Sequence, residues 1–222
     1  MEALNGQRNK CVCIEFLNNS HPLCLFGTAN ITEEQFAEGL EFRFKADKTW
    51  ANADTEDKAA VQRLWSWIYS CKGNHVKFLN EYKDYFGNDS PFAWYLITDY
   101  LMAVDNRAKN MMLCTWDGLH WYFLPYDLDT ILGGRNDSVL KYDYTITHET
   151  FDDSIGSYAF AGHDGVLWDL VRGCPEKLRE VAGTLRSNMS TEDVLDMFNN
   201  QMMGNWCERC LLYTSPSPRD TR

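Results

Sequence analysis

Residues 90–126 read SPFAWYLITDYLMAVDNRAKNMMLCTWDGLHWYFLPY, a helical pattern that leads through a polar loop into two strand patterns. Ser90 is expected to cap the helix, with Pro91 at its first helical position. The pattern over residues 91–104 is apolar almost all round, and a helix without a polar face is typical of a protein core. This segment therefore predicts a buried helix that ends in the polar loop at residues 105–110.

The strand patterns at residues 111–116 and 120–126 predict a β-hairpin. Asp117-Gly118 lies between them and is a strong short-range hairpin signal. A tight hairpin returns the chain to the point where the first strand began. The residues that follow position 126 are therefore expected beside those that precede position 111.

The remaining patterns predict short strands near the N-terminus and helices over most of the rest. Further strands are predicted at residues 11–16, 23–26 and 40–45. Further helices are predicted at residues 32–39, 54–71, 75–86, 165–172, 175–185 and 191–203, and a long loop at 135–163. The expected fold class is α+β. Its expected parts are a small, partial β-rich N-terminal lobe over residues 1–50 and a mostly helical lobe over residues 51–209.

Composition narrows the class of protein and of partner. The chain has 222 residues, of which 45% are hydrophobic, and this suffices for one domain or two small lobes. We find no apolar run long enough to cross a bilayer and no signal peptide at the N-terminus, so no membrane association is expected. The formal net charge of −11 repels phosphodiester backbones and disfavours nucleic-acid binding. ATP stays compatible with this charge, because metal ions bridge carboxylates to phosphates.

The eight cysteines do not form a zinc-binding pattern. A single CxxC pair occurs, Cys207–Cys210, and Cys11-x-Cys13 lies in an apolar strand pattern where free cysteine acts as a small hydrophobic residue. Reduced cysteines are typical of the cytoplasm. We therefore expect a cytoplasmic protein without structural zinc.

The C-terminal residues 210–222 break the helical pattern abruptly. Their string CLLYTSPSPRD is similar to the translation of a transposase sequencing adapter. We interpret the segment as an adapter-derived artefact and exclude it from the fold prediction, which implies that more protein belonged after Arg209. A disordered Ser/Pro tail is the alternative.

Four polar residues around the predicted hairpin have the spacing that phosphoryl transfer requires. Asp105 and Asn110 have D-x-x-x-x-N spacing after the buried helix, and Asp127 and Asp129 follow the hairpin. One carboxylate can orient the nucleophile, while an amide and further carboxylates hold metal ions against the phosphates. Several crowded acidic groups would repel one another unless a cation joined them. The sequence therefore predicts a magnesium and nucleotide site here.

Two cations in the same loop, Arg107 and Lys109, are candidates for contact with the nucleotide phosphates. Simpler roles compete for each group. Asp105 taken alone is more typical of a helix-ending or capping residue, and D-x-D is common in loops. His120, next to the hairpin turn, is more typical of a surface side chain than of a general base.

The segments DYLMAVDNRAKN (residues 99–110) and WYFLPYDLDTILG (121–133), with GHDGVLWDLVR (162–172), resemble the CotH kinase family, named for a spore-coat protein. The resemblance covers residues 90–172, and the residues of these segments are most similar to those of family members encoded by bacteriophages. It implies an atypical protein-kinase-like fold that transfers phosphate from ATP to a protein side chain with Mg²⁺. A cytoplasmic or virion-associated location, with virion or coat assembly partners, would follow.

On matching positions, the resemblance implies that Asp105 is the catalytic-loop carboxylate. Asn110 and Asp127 would hold the metal, and Asp129 would be a second acidic contact. The sequence departs from the family at Arg107, which lies one residue later than in an Asp-Arg pair. No glycine-rich phosphate loop is recognisable before residue 40. Lys45 is the candidate phosphate-contacting lysine, although a solvated lysine at a strand end is more typical.

Three other functions compete with the kinase. A haloacid-dehalogenase phosphatase also uses a D-x-D motif. That motif lies at the first strand of the domain, but Asp127 does not. It also continues with Gly and Thr after the second Asp, whereas Asp129 is followed by Thr130-Ile131. A D-x-D nucleotide-sugar transferase with Mn²⁺ expects an earlier parallel α/β sheet. The stronger alternative is a catalytically inactive CotH-like protein with a structural or interaction role in a virion.

Overall fold

The protein is α+β in the computed structural model, which describes residues 11–16, 33–43, 48–101, 103, 106, 111–126, 128, 165–188 and 190–196. The strands are β1 (Val12–Phe16), β2 (Leu40–Arg43), β3 (Lys48–Thr49), β4 (Met111–Thr115) and β5 (Trp121–Pro125). The α-helices are α1 (Glu33–Gly39), α2 (Thr55–Ser70), α3 (His75–Glu81), α4 (Ser90–Tyr100), α5 (Gly165–Arg172), α6 (Pro175–Asn188) and α7 (Thr191–Asp196). Short 3₁₀ turns cover Trp50–Asn52 and Tyr82–Asp84.

The chain divides into two compact units, Met1–Val181 and Ala182–Arg222. The first unit contains the sheet and helices α1 to α5, together with the start of α6. Within the second unit, the described part consists of the end of α6 and α7. Among the described residues, no helix combines the length and the apolar character that spanning a membrane requires.

The five strands form one antiparallel sheet in the order β3-β2-β1-β4-β5. Ile14 at the centre pairs with Phe42 on one side and with Leu113 on the other. Alternate residues face opposite sides of a strand, so Val12 and Ile14 enter the hydrophobic core while Cys13 and Glu15 lie on the second face.

The structure confirms the strand predicted at 11–16, the hairpin, and the part of the strand predicted at 40–45 that it describes, residues 40–43. Residues 44 and 45 lie outside the described residues. The strand predicted at 23–26 and the long loop at 135–163 lie outside the described residues. Because β1 pairs with both β2 and β4, strands from both sides of the lobe boundary predicted at residue 50 belong to one sheet.

Helix α2 supplies much of the core opposite the sheet. Its first turn carries Glu56 and Asp57, and acidic residues there favour helix formation through the helix dipole. Leu64, Trp67 and Ile68 are all buried. Trp67 stacks on Tyr85 with ring centroids 4.1 Å apart. The predicted helix at 54–71 is confirmed within one residue at each end.

The helix predicted at 75–86 begins as predicted but is shorter than expected, because α3 ends at Glu81 and the chain continues as a 3₁₀ turn. The physical reason is a backbone pairing with the hairpin. Trp121 N donates to Tyr85 O at 2.8 Å, and Gly87 N donates to Trp121 O at 3.0 Å. The residues around Phe86 therefore bond to β5 and cannot continue a helix.

Helix α4 also differs from its prediction at both ends. Asp89, and not Ser90, is the N-cap residue, since Ser90 Oγ instead accepts a hydrogen bond from Phe123 N at 3.1 Å. The helix ends at Tyr100, four residues early. Thr98 Oγ1 donates to Trp94 O at 2.8 Å, and Ala103 N then donates to Thr98 O at 2.8 Å, which closes the last turn.

The prediction that α4 is buried on all sides is wrong for its last turn, where Ile97 is 41% and Tyr100 85% exposed.

The C-terminal helices follow the sequence pattern where the structure describes them. Helix α5 matches its prediction, and α6 runs to Asn188, three residues further than predicted. Beyond Asp196 the helix predicted at 191–203 lies outside the described residues.

Arg63 on α2 connects three parts of the first unit. Its Nη1 donates to Leu119 O at 2.9 Å and its Nη2 to Asp84 O at 3.0 Å. Its guanidinium lies 4.1 Å from the ring centroid of Tyr85. A planar guanidinium can bind two carbonyls while it stacks on an aromatic ring, and a lysine ammonium cannot.

Arg63→Lys is therefore expected to lower the free energy of unfolding by about 1–2 kcal/mol, because one hydrogen bond and the ring contact are lost while the charge is kept. Chemical denaturation measures the difference. Arg179→Lys, at an exposed position on α6, is the matched control and should change it by less than about 0.5 kcal/mol. Equal values for both variants would contradict a role for the Arg63 contacts.

Candidate functional site

All of the predicted site residues lie outside the described residues: Asp105, Arg107, Lys109, Asn110, Asp127 and Asp129, and also Lys45. The framework next to them in the chain is described. It consists of α4, Ala103, Asn106, the hairpin, Tyr126 and Leu128.

The hairpin brings its two ends together, as the sequence predicts. Met111 is directly opposite Pro125, and Thr115 is directly opposite Trp121 at the other end. The connection between the strands covers residues 116–120, so it is longer than a two-residue Asp-Gly turn. Gly118 has a φ of 75°, a conformation that glycine adopts without strain.

Asn106 joins the loop after α4 to the chain after β5. Its side chain is fully buried, and its Nδ2 donates to Tyr126 O at 2.8 Å. Its carbonyl accepts from Trp94 Nε1 at 2.9 Å, and its own N–H donates to Ala103 O at 3.2 Å. The end of the hairpin and the end of α4 are thus linked by one residue, through its side chain on one side and its backbone on the other.

Aromatic side chains of α4, α5 and β5 pack next to this link. Phe123 on β5 stacks on Trp94 with centroids 5.6 Å apart and an interplanar angle of 10°. Phe86 lies against Phe123 at 5.8 Å, and Trp168 of α5 at 5.5 Å. Aromatic pairs of this geometry stabilise the packing by about 0.5–1.5 kcal/mol each, and these contacts join α4, α5 and β5 around the link.

On the second face of the sheet, a buried carboxylate is neutralised by a cation. Glu15 is 5% exposed and forms an ion pair with Arg43, which also contacts Glu41 at 3.2 Å. Burial alone would lower the pKa of Arg43, but the hydrogen bond and charge of Glu15 raise it above its usual value. A buried carboxylate without a partner is costly, so Arg43 is a structural counterion of Glu15.

The hairpin turn contains an organised pair, Asp117 and His120. Asp117 Oδ1 accepts from the backbone N–H groups of Leu119 and His120, each at 2.8 Å, and Oδ2 lies 2.6 Å from His120 Nδ1. Burial alone would raise the pKa of Asp117, but these hydrogen bonds and one from Thr115 hold it well below its usual value. We therefore keep the interpretation of His120 as a hairpin side chain. Its contact with Asp117 helps to order the turn.

Since the pKa of Asp117 is lower in the folded than in the unfolded state, its stabilising effect is present above pH of about 4 and is lost as the pH falls below that. We expect the free energy of unfolding of Asp117→Asn to fall less steeply than that of the unmutated protein between about pH 4 and 2. Denaturant titrations over that range measure the slope. Parallel slopes would contradict the assignment.

Two clefts open on the described surface. A polar cleft of about 480 Å³ lies between the loop at residues 83–89 and the hairpin, lined by Lys83, His120 and Tyr122 among others. A second, of about 310 Å³, is lined by Val12, Asp57 and Arg63 with neighbouring residues. No group of three or more His, Cys, Asp or Glu side chains in the described ranges could hold a metal ion.

Asn106 is the framework residue that the sequence reasoning did not identify. It appeared only as the extra residue that separates Asp105 from Arg107. No periodic signal distinguishes it within DNRAKN, and the partners described above, Trp94 and Tyr126, lie 12 and 20 residues away in the chain.

Comparison of the chain with protein-family models, with curated proteins and with solved structures finds no match.

Proposed function

We propose that the protein is a CotH-like kinase that transfers a phosphoryl group from ATP to a protein side chain with Mg²⁺. The observation that carries the proposal is the hairpin pairing of Met111 with Pro125. Asn110 immediately precedes Met111 in the chain, and Asp127 follows Pro125 by two residues. The pairing supports the expectation that both contribute to one metal site.

The donor types suit the proposed ion. Mg²⁺ prefers oxygen ligands, and carboxylates together with nucleotide phosphates supply them in phosphotransferases. Asn110 and Asp127 would hold the metal, with Asp129 as a further acidic contact. Arg107 and Lys109 would contact the phosphates.

Asp105 would accept the proton of the attacking hydroxyl. In the transfer, a bond forms between the acceptor oxygen and the γ-phosphorus, and the bond from that phosphorus to the β–γ bridging oxygen breaks, so ADP leaves. An atypical kinase-like fold is part of this proposal. The α+β class supports it at a coarse level, because a hairpin follows a helix and a polar loop in the order that kinases use.

A catalytically inactive CotH-like protein with a virion or coat assembly role is the second candidate. Arg43 favours it, since this cation on the described N-terminal strands is held by Glu15 and Glu41 and does not offer a free charge to a phosphate. The described strands are antiparallel, which disfavours the parallel-sheet nucleotide-sugar transferase.

Incubation of the full chain with γ-labelled ATP and Mg²⁺ tests the proposal, with chelation of the metal as the control. We expect labelled protein and ADP only when Mg²⁺ is present. If the protein transfers no phosphate and also binds no Mg–ATP by calorimetry, the kinase proposal is wrong. Binding of Mg–ATP without transfer would favour the inactive candidate.

A further inference from the structure

Asn106 makes contacts that differ from those of an ordinary loop residue. Its backbone is fixed to the end of α4 by Ala103 and Trp94, while its side-chain amide crosses to the backbone of Tyr126. Because the acceptor is a main-chain carbonyl, the contact constrains the path of the chain after β5 and not merely one side chain.

We propose that Asn106 is a positioning residue of the phosphotransfer centre, whose buried amide fixes the spacing between the loop after α4 and the chain after β5. The inference rests on the proposed function, in which Asp105 directly precedes Asn106 and Asp127 directly follows Tyr126. The amide thus joins the residues next to the catalytic carboxylate and next to the metal-binding carboxylate.

The residue type fits this role. A short side chain with an N–H donor is needed to reach a carbonyl within a fully buried space, and the contact of 2.8 Å has the length of a good hydrogen bond. Metal ligands must be held to within about 0.5 Å of their productive positions, and a displacement of about 1 Å can lower the rate of catalysis roughly 100-fold. Loss of the amide should therefore raise the Mg²⁺ concentration that the reaction requires.

Asn106→Leu removes the donor and keeps a similar side-chain volume. We expect the Mg²⁺ concentration that half-saturates ATP consumption to rise at least about tenfold, as ligand-orienting partners typically affect metal affinity. Trp121→Phe is the control, since Trp121 is fully buried at the far end of the hairpin and its Nε1 has no acceptor in the described part of the chain. It should leave the half-saturating Mg²⁺ concentration within about twofold while lowering stability.

A merely structural role would lower the unfolding midpoint and the amount of active protein without changing the Mg²⁺ requirement of the folded fraction. An unchanged Mg²⁺ requirement in folded Asn106→Leu would therefore overturn the inference. Should that variant not fold, Asn106→Ser, which also removes the amide, is measured in the same way. If the unmutated protein shows no Mg²⁺-dependent ATP consumption, the proposed function fails and the inference with it. If the unmutated protein is active and the folded variant has the same Mg²⁺ requirement, only the inference about Asn106 is wrong and the proposed function stands.

Discussion

Asp127→Ala is expected to abolish the Mg²⁺-dependent consumption of ATP and the autophosphorylation of the protein. In the proposed site this carboxylate is a metal ligand, and the metal neutralises charge that develops on the transferring phosphoryl group. Removal of one such electrostatic contact typically lowers the rate by about 100-fold or more. The measurement is the rate of ADP release and of label transfer from γ-labelled ATP at saturating Mg²⁺.

Asp84→Ala is the matched control for this experiment, because Asp84 is an exposed aspartate whose hydrogen bond to Arg63 uses its backbone oxygen. Its activity should equal that of the unmutated protein. Circular dichroism and the unfolding midpoint establish that Asp127→Ala keeps the fold. Full activity of folded Asp127→Ala would exclude the proposed metal site, whereas a loss in both variants would point to a general disturbance of the protein.

The hairpin shows which parts of the fold the sequence could predict. Apolar residues on both sides of Asp117-Gly118 predict two strands joined by a turn, but these nearly unbroken apolar runs do not fix the register of the strands. The structure has the two strands, but the longer connection places buried Leu113 opposite half-buried Phe123, where a two-residue turn would have placed Tyr122. Local patterns sufficed for the two strands because the paired residues of β4 and β5 lie within fifteen residues of one another along the chain.

The places where the prediction failed depend on partners that are distant in the sequence. Helix α3 gives way to a 3₁₀ turn because Tyr85 bonds to Trp121, and Ser90 is not the cap because Phe123 uses its hydroxyl. Helical periodicity says nothing about such pairings. The link from Asn106 to Tyr126 was missed for the same reason.

The candidate site was predicted from residue types and spacing, and the structure describes the framework on which those residues would lie. Hairpin closure was predictable and supports the proposed convergence of Asn110 with Asp127. The phosphate-binding part of the site was not predictable, because the sequence contains neither a recognisable glycine-rich loop nor a recognisable phosphate-contacting lysine. Arg43 at the end of β2 does not fill this role, because its charge is engaged by Glu15.

Trp168→Ala is expected to produce the largest loss of stability among the substitutions considered. The indole is fully buried on α5, with ring contacts to Tyr95 of α4 at 6.2 Å and to Phe123 of β5 at 5.5 Å. Truncation of a buried tryptophan removes its apolar contacts and leaves a cavity, which typically costs about 3–5 kcal/mol. Chemical denaturation measures the change in the free energy of unfolding.

Trp116→Ala supplies the matched control, because Trp116 in the hairpin connection is 58% exposed. It should change the free energy of unfolding by less than about 0.5 kcal/mol. A similar small change for Trp168→Ala would mean that α5 does not pack against α4 and β5. If the loss of stability is large, we also expect the packing around the candidate site to be disturbed. Trp168 contacts Phe123, and Phe123 stacks on Trp94. The indole of Trp94 in turn donates a hydrogen bond to the carbonyl of Asn106.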